Sequence, residues 1–368
     1  MSEIAAVVTA NGFSGKMACG QTLSEYISNT LREAGIGAIV LEEEGELPKA
    51  DALLVVPGNM PFLTAETIKE LASRHREGAF ALTELQSLDE DGAGSPAGIY
   101  LLSGALDWSG GLGQAYRQAK EQGLPCASVY LQEDLEGLAI ETMQDLVYCR
   151  KQLQQRINDG HLERGVDLID PDTAYIGAKV RIGAGTVIEP NVMLEGETVI
   201  GENTTVGMGS KLTDVKIGSN VTIQSSVLVR SVVEDGVRIG PFAYLRPGSQ
   251  IGKNAKIGDF VEIKNSVIGE KTSVAHLTYI GDSDVGGQVN FGCGCVTVNY
   301  DGKKKYRCRV EDHSFIGCNT NLVAPVRVGQ GAYIAAGSTI TDEVPEDALA
   351  IARARQVNKE HWKNDRRK

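Results

Sequence analysis

An aliphatic residue returns every six positions over most of the span from Ile176 to Ile340. One unbroken run is Ile176, Ile182, Ile188, Leu194, Ile200, Val206 and Leu212. A second is Val233, Ile239, Leu245, Ile251, Ile257 and Ile263; a third is Val310, Ile316, Leu322, Val328, Ile334 and Ile340. Gly or an acidic residue often follows the anchor, and a small or β-branched residue often stands four places after it. Such a hexapeptide repeat predicts a parallel β-helix, in which three hexads close one coil and every anchor points inward. Strands of successive coils then stack at roughly 4.8 Å, and the span corresponds to about nine coils. The count breaks at 212–217, 229–233 and 263–268, which read as corners or short loops. From Thr297 to Val310 the step is 13 residues, so a loop of about seven extra residues leaves the coil there. It carries Lys303, Lys304, Lys305 and Arg307.

The register says which side chains stack. Val274, Phe291, Ile316 and Ile334 fall on one face of four successive coils. The residues two places after them are His276, Cys293, Cys318 and Ala336. Three small side chains in a row make a groove, closed at one end by an imidazole. A lone histidine in a repeat is more often a surface or corner residue, and a column of small residues can be packing at a subunit interface. In a second column, Arg246 follows Leu245 and Lys264 follows Ile263 one coil later. Two cations about 5 Å apart repel unless an anion lies between them, an arrangement suited to phosphate. The bland alternative is a surface ladder paired with Asp259 or Glu262, and loop lysines are most often a solvated tip.

The net charge of −12 argues against nonspecific nucleic-acid binding. No apolar run is long enough to span a bilayer, so no membrane partner is expected. The opening Met1-Ser2-Glu3 has no basic start or apolar stretch typical of a secretory signal. Seven cysteines without zinc-ligand spacing imply free thiols in a reducing cytoplasm. Residues 1–145 read as an α/β domain, with strands at 4–9, 38–41, 52–56, 80–83, 99–102 and 128–131 and helices at 22–33 and 64–76. Residues 141–160 read as one amphipathic helix. The domain layout is therefore 1–145, a connecting helix at 146–165, a β-helix at 166–345 and a tail at 346–368.

Several segments carry a resemblance over residues 165–362. They are Gly165-Val-Asp-Leu-Ile-Asp-Pro171, Gly240-Pro-Phe-Ala-Tyr-Leu-Arg-Pro247, Phe260-Val-Glu-Ile-Lys-Asn265, Ala275-His-Leu-Thr-Tyr-Ile-Gly-Asp282, Asn299-Tyr-Asp-Gly302 and Leu322-Val-Ala-Pro-Val326. In this order they resemble the bifunctional enzymes that acetylate glucosamine-1-phosphate and then uridylylate the product to UDP-N-acetylglucosamine. The resemblance implies a left-handed β-helix and a homotrimer with active sites between subunits. It implies that His276 is the general base and that Arg246 and Lys264 hold the sugar phosphate. Tyr279, Asn290 and Asn299 would orient the amino sugar. Cys293, Tyr300, Cys318, Ala336 and Arg353 would bind acetyl-CoA, the co-substrate. An ammonium is not a nucleophile, so a base is needed, and imidazole is suited to that task. No metal is required for this step. Cys293 and Cys318 depart from the family's small non-cysteine residues, which raises the expectation that oxidation blocks acetyl-CoA.

The first 160 residues resemble a shortened relic of the family's nucleotidyltransferase domain. Thr9-Ala-Asn-Gly-Phe-Ser-Gly-Lys-Met17 aligns with its Gly-rich phosphate loop, but Ser14-Gly15 replaces Gly-Thr, and the uracil-reading segment is absent. In Val56-Pro-Gly-Asn-Met-Pro61, Asn59 replaces the metal-binding Asp, and Glu141 stands at the expected second ligand. Mg²⁺ binding and uridyl transfer are therefore not expected. The competing readings are a bifunctional enzyme that keeps uridyl transfer, and a non-catalytic trimeric regulator with a nucleotide-binding-like head.

Overall fold

The computed structural model describes all residues except 1–2, 37, 42–49, 89–90, 109–110, 132, 361 and 363–368, with backbone only at 38–41. The chain divides into two compact units, Met1–Leu153 and Gln154–Lys368.

The first unit is built on a six-stranded mixed sheet, in the order Ala38–Leu41, Ile4–Thr9, Ala52–Pro57, Gly94–Ser103, Leu82–Leu88 and Cys126–Tyr130. Ile4–Thr9 and Ala52–Pro57 are almost wholly buried and pair in parallel, as continuous apolar strands covered on both faces do. Helix Leu23–Glu33 starts from a capping box between Thr22 and Glu25, and helix Ala65–Glu77 is capped by the Thr64 hydroxyl. The strands expected at 80–83 and 99–102 are parts of a longer antiparallel hairpin, Leu82–Leu88 with Gly94–Ser103. Its outer halves are polar and exposed, so they lack the apolar signal by which strands are read.

In the second unit three parallel sheets of ten, nine and eleven strands close a β-helix. Every anchor of the three hexad runs is buried in one continuous core. The small residue four places after an anchor is buried too, and its hydroxyl satisfies a corner carbonyl. Thr186 donates to Gly201 O at 2.8 Å and Thr272 to Gly286 O at 2.7 Å. The breaks in the count contain a left-handed residue, Asp214 (φ 54°), Arg230 (φ 41°) or Asn265 (φ 46°), which turns the chain more tightly. The coils exceed the nine expected. Asp167–Leu168 and Leu349–Ala350 extend the eleven-stranded sheet, and irregular spacing hides both from the six-residue count.

Helix Met143–Glu163 runs across the division between the units. Within the second unit it lies against the first coil. Asn158, 1% exposed, donates to Pro171 O at 2.8 Å and Ala174 O at 3.1 Å, and Gln154 donates to Ile176 O. Buried His161 contacts Arg164, and burial first, then that cation, lowers its pKa to about 4. Among the described residues no helix is long and apolar enough to cross a membrane.

Candidate active site on the β-helix

The groove column forms as the register demands. Val274, Phe291, Ile316 and Ile334 are consecutive partners in the eleven-stranded sheet. The corners after them are tied coil to coil by Gly294 N–H to His276 O, Asn319 N–H to Cys293 O and Gly337 N–H to Cys318 O. Small residues line these corners for a steric reason: a Cβ on Gly292 would stand 2.8 Å from Cys318 Sγ, and one on Gly317 2.6 Å from Ala336 N. Cys295, buried behind the groove, donates to Gly317 O, and burial pushes its thiol up to about 11. Arg353 reaches the far end of the column, its Cδ 3.7 Å from where a Gly337 Cβ would stand.

At the foot of the column, Asp259 and His276 are register partners on adjacent coils. His276 Nδ1 lies 2.6 Å from Asp259 Oδ1. The imidazole's hydrogen bond, the largest cause, holds the Asp259 carboxyl below its usual range. An ionised carboxylate only accepts, so Nδ1 is the donor to Asp259, and Nε2 is the ring nitrogen left to face a substrate. His276 is half exposed, open to a substrate. Asp259 was considered above as a partner for the cation ladder; it serves the histidine instead.

The cation column lies on the ten-stranded sheet. Leu245 pairs with Ile263, which sets Arg246 over Lys264, and Lys264 pairs with Gly281 on the next coil. Arg246 is ion-paired to Glu262 at 2.8 Å, so the ladder reading holds in part. The loop between Val298 and Cys308 is not a free tip. Arg307 grips Asp284 through Nε at 3.1 Å and Nη2 at 2.5 Å, and donates to Ser283 O and Asn265 O. Asp301 caps Lys303 N–H and Lys304 N–H, and Tyr300 bridges to Lys305. The loop delivers Lys305 to Lys264. Their contact is the largest cause lowering the Lys264 pKa, followed by burial, with Arg246 adding to it and Asp282 opposing. Lys305 thus makes a third cation beside Arg246 and Lys264, a role the sequence reading left unassigned.

Tyr279 and Asn299 converge over Gly281. A Cβ there would stand 2.3 Å from Tyr279 Oη and 2.7 Å from Asn299 Nδ2. Asp282 lies behind them, accepting from Asn265 Nδ2 at 2.6 Å and Asn299 Nδ2 at 2.5 Å. Two expected residues stand apart from this cluster. Asn290 is exposed on the eleven-stranded sheet between Ser273 and Phe315, and Tyr300, 55% exposed, donates to Gly302 O in its own loop. Register alone could have flagged Asp259 and Asp282, because each stands two places after an anchor, level with His276 and Asn299. Lys305 had no such signal, since the loop leaves the repeat.

The bacterial transferase hexapeptide (six repeats) family matches residues 197–231, 230–265 and 307–342. The bifunctional protein GlmU of Clostridium beijerinckii is 40% identical over 387 residues, spanning 93% of this chain and 85% of that protein. The chain belongs to the GlmU family. The GlmU of Brevibacillus brevis is 53% identical over 229 residues, 62% of this chain and 50% of that protein. Among solved structures, a UDP-N-acetylglucosamine acyltransferase from Francisella novicida aligns with a TM-score of 0.32 at 18% identity, over 49% of this chain and 65% of that chain. Membership of the GlmU family, with the hexapeptide repeats, makes this chain an N-acetyltransferase with acetyl-CoA as its co-substrate.

The first unit has a different character. In its Gly-rich turn, Asn11 Oδ1 accepts from Phe13 N–H and Ser14 N–H, and Ser14 Oγ accepts from Asn11 N–H. Three amides that could face a phosphate are thereby used inside the turn. Asn59 is 2% exposed; its Nδ2 donates to Ile140 O, beside Glu141, and its Oδ1 has no partner. Among the described residues no group of three or more His, Cys, Asp or Glu could hold a metal ion.

Proposed function

We propose that this GlmU-family chain transfers the acetyl group of acetyl-CoA to the amine of glucosamine-1-phosphate. The observation that carries the reading is the Asp259–His276 pair at 2.6 Å, at the foot of the Cys293–Cys318–Ala336 groove. Arg246, Lys264 and Lys305 hold the phosphate, with Tyr279 and Asn299 around the sugar; Asn290, on the same sheet as His276, would meet the sugar from a second copy. His276 Nε2 removes a proton from the amine, and Asp259 stabilises the imidazolium that forms. The amine attacks the thioester carbonyl while backbone N–H groups of the groove receive the oxyanion. The C–S bond then breaks, CoA thiolate takes up a proton, and the amide remains. The pantetheine arm lies along Cys293, Cys318 and Ala336, with Arg353 and Tyr300 toward the rest of CoA.

The working unit is a homotrimer. His276 and the cation column belong to different sheets, so a second copy is needed to wall the pocket. The corner between them carries an exposed apolar ridge of Phe242, Phe260 and Leu277, at 59%, 57% and 58% exposure. The two phenylalanine rings stack at 5.4 Å. Such a ridge suits burial against a neighbour. The enzyme works in the cytoplasm, where acetyl-CoA is supplied.

The head does not transfer uridylyl groups. Mg²⁺ is usually held through one or two carboxylates together with substrate phosphates; Asn59 offers a neutral, buried oxygen in place of one, which leaves exposed Glu141 as the single carboxylate of the pair. Mg²⁺ does not fit this set. NMR of a mixture of protein, acetyl-CoA and glucosamine-1-phosphate should show N-acetylglucosamine-1-phosphate forming. An unchanged acceptor would overturn the proposal. Pyrophosphate release from UTP, Mg²⁺ and N-acetylglucosamine-1-phosphate would restore the bifunctional alternative.

A further inference from the structure

Asp282 has no part in the steps above, yet it is buried at 6% exposure and both its oxygens are engaged. It stands at a corner with φ 48°. Its column is Asn265, Asp282 and Asn299, each two places after an anchor. The backbone adds to this fit: Asp282 N–H donates to Lys264 O, and Asp282 O accepts from Cys308 N–H. Asn299 is likewise buried at 7% exposure, and its backbone carbonyl accepts from Tyr306 N–H.

A carboxylate has no donor. Both asparagines must therefore turn Nδ2, not Oδ1, toward Asp282. An amide's two ends are nearly equal in shape, so shape alone leaves its orientation open; here a charge decides it. With Nδ2 of Asn299 committed to Asp282, its Oδ1 lies on the opposite side of the amide. The neighbouring Gly281 leaves room for Tyr279 Oη against this same amide, in register with Lys264. Oδ1 is thus the end of the Asn299 amide that Asp282 does not engage.

We propose that Asp282 is a positioning residue that sets the polarity of Asn299, so that Asn299 Oδ1 receives an N–H of the acceptor amine. This rests on the acetyltransfer reading given above. It goes further in assigning recognition of the amine to a carboxylate that never touches it. An amine held through one N–H keeps its lone pair free to turn toward the thioester. A reversed Asn299 would present N–H groups to that lone pair and compete with the nucleophile.

The test uses D282N, which keeps shape and left-handed tolerance but allows Asn299 to reverse. Initial rates are measured against glucosamine-1-phosphate and against acetyl-CoA, with thermal midpoints recorded for each variant. The acceptor KM should rise about tenfold, the size of losing one charge-assisted hydrogen bond, with acetyl-CoA KM unchanged. In the double variant D282N/N299D the new amide donates to the new carboxylate, and an oxygen again faces the acceptor. Its acceptor KM should return toward that of the unmodified protein, a recovery that simple loss of structure would not give. Turnover by the unmodified protein with an unchanged acceptor KM in D282N, or a double variant as impaired as D282N, overturns this proposal alone. No thiol release by the unmodified protein overturns the acetyltransfer reading and this one together.

Discussion

The two units handle their polar groups in opposite ways. In the first unit the Gly-rich turn satisfies itself: Asn11 and Ser14 consume its amides, and the buried Asn59 bonds back to Ile140. In the β-helix, carboxylates sit behind other side chains and aim them outward, Asp259 behind His276 and Asp282 behind Asn299. Lys264 and Lys305 are brought together against their mutual repulsion, beside Arg246, which Glu262 partly neutralises. A cluster that raises the energy of the empty protein is informative, because a ligand would relieve it. A turn that closes on itself gives no such sign. The contrast supports the proposal that acetyl transfer belongs to the second unit.

The sharpest way to break the comparison is to remove one group from each unit. His276→Ala should lower kcat by about 10²- to 10⁴-fold, the range for a general base, whereas Asn59→Ala should leave acetyl transfer unchanged. An equal loss in both variants, by steady-state rates, would erase the distinction. Next in size, the double variant Lys264→Ala/Lys305→Ala should raise the acceptor KM about 100-fold with little change in acetyl-CoA KM, as the loss of two charge-assisted contacts implies. Added salt should mimic part of that effect in the unmodified protein.

Asp259→Asn comes third. The amide can no longer hold the Nδ1 proton as a carboxylate does, so kcat should fall about tenfold or more. A kcat equal to that of the unmodified protein, by steady-state rates, would show that Asp259 does not act on His276.

The smallest effect sharpens the comparison from the side of stability. His161, buried against the first coil, has its folded pKa lowered to about 4, below the unfolded value. The unfolded chain therefore binds a proton first as pH falls. The stability that His161 contributes is full above its unfolded pKa, near 6.5, and is lost as pH falls from there toward about 4. His161→Gln should flatten the drop in thermal midpoint over that window. A slope unchanged by the substitution would assign the drop to other groups.

The hexad count made the β-helix legible before any coordinates, because one inward anchor per strand leaves a period that survives in sequence. It also placed Arg246 over Lys264 and His276 below Cys293, since stacking follows from counting. It missed the terminal strands Asp167–Leu168 and Leu349–Ala350, whose steps are not six. The hairpin from Leu82 to Ser103 was half visible, because only its buried half is apolar. Lys305 could not be placed: the path of its loop is set by Arg307 gripping Asp284, a contact between residues 23 apart in sequence. Asp259 was in view but matched to the wrong neighbour. Pairing cation with anion looked sufficient, whereas an ion pair joins Glu262 to Arg246 and the register sets Asp259 against His276.

On the proposed mechanism His276, seated on Asp259 at the foot of the groove, activates the acceptor amine. Following thiol release from acetyl-CoA in the presence of glucosamine-1-phosphate tests it most directly, with the unmodified protein and His276→Ala side by side. Steady release is expected from the first and a loss of at least about 100-fold in the second, with the fold intact by circular dichroism. Equal rates from the two proteins would contradict it.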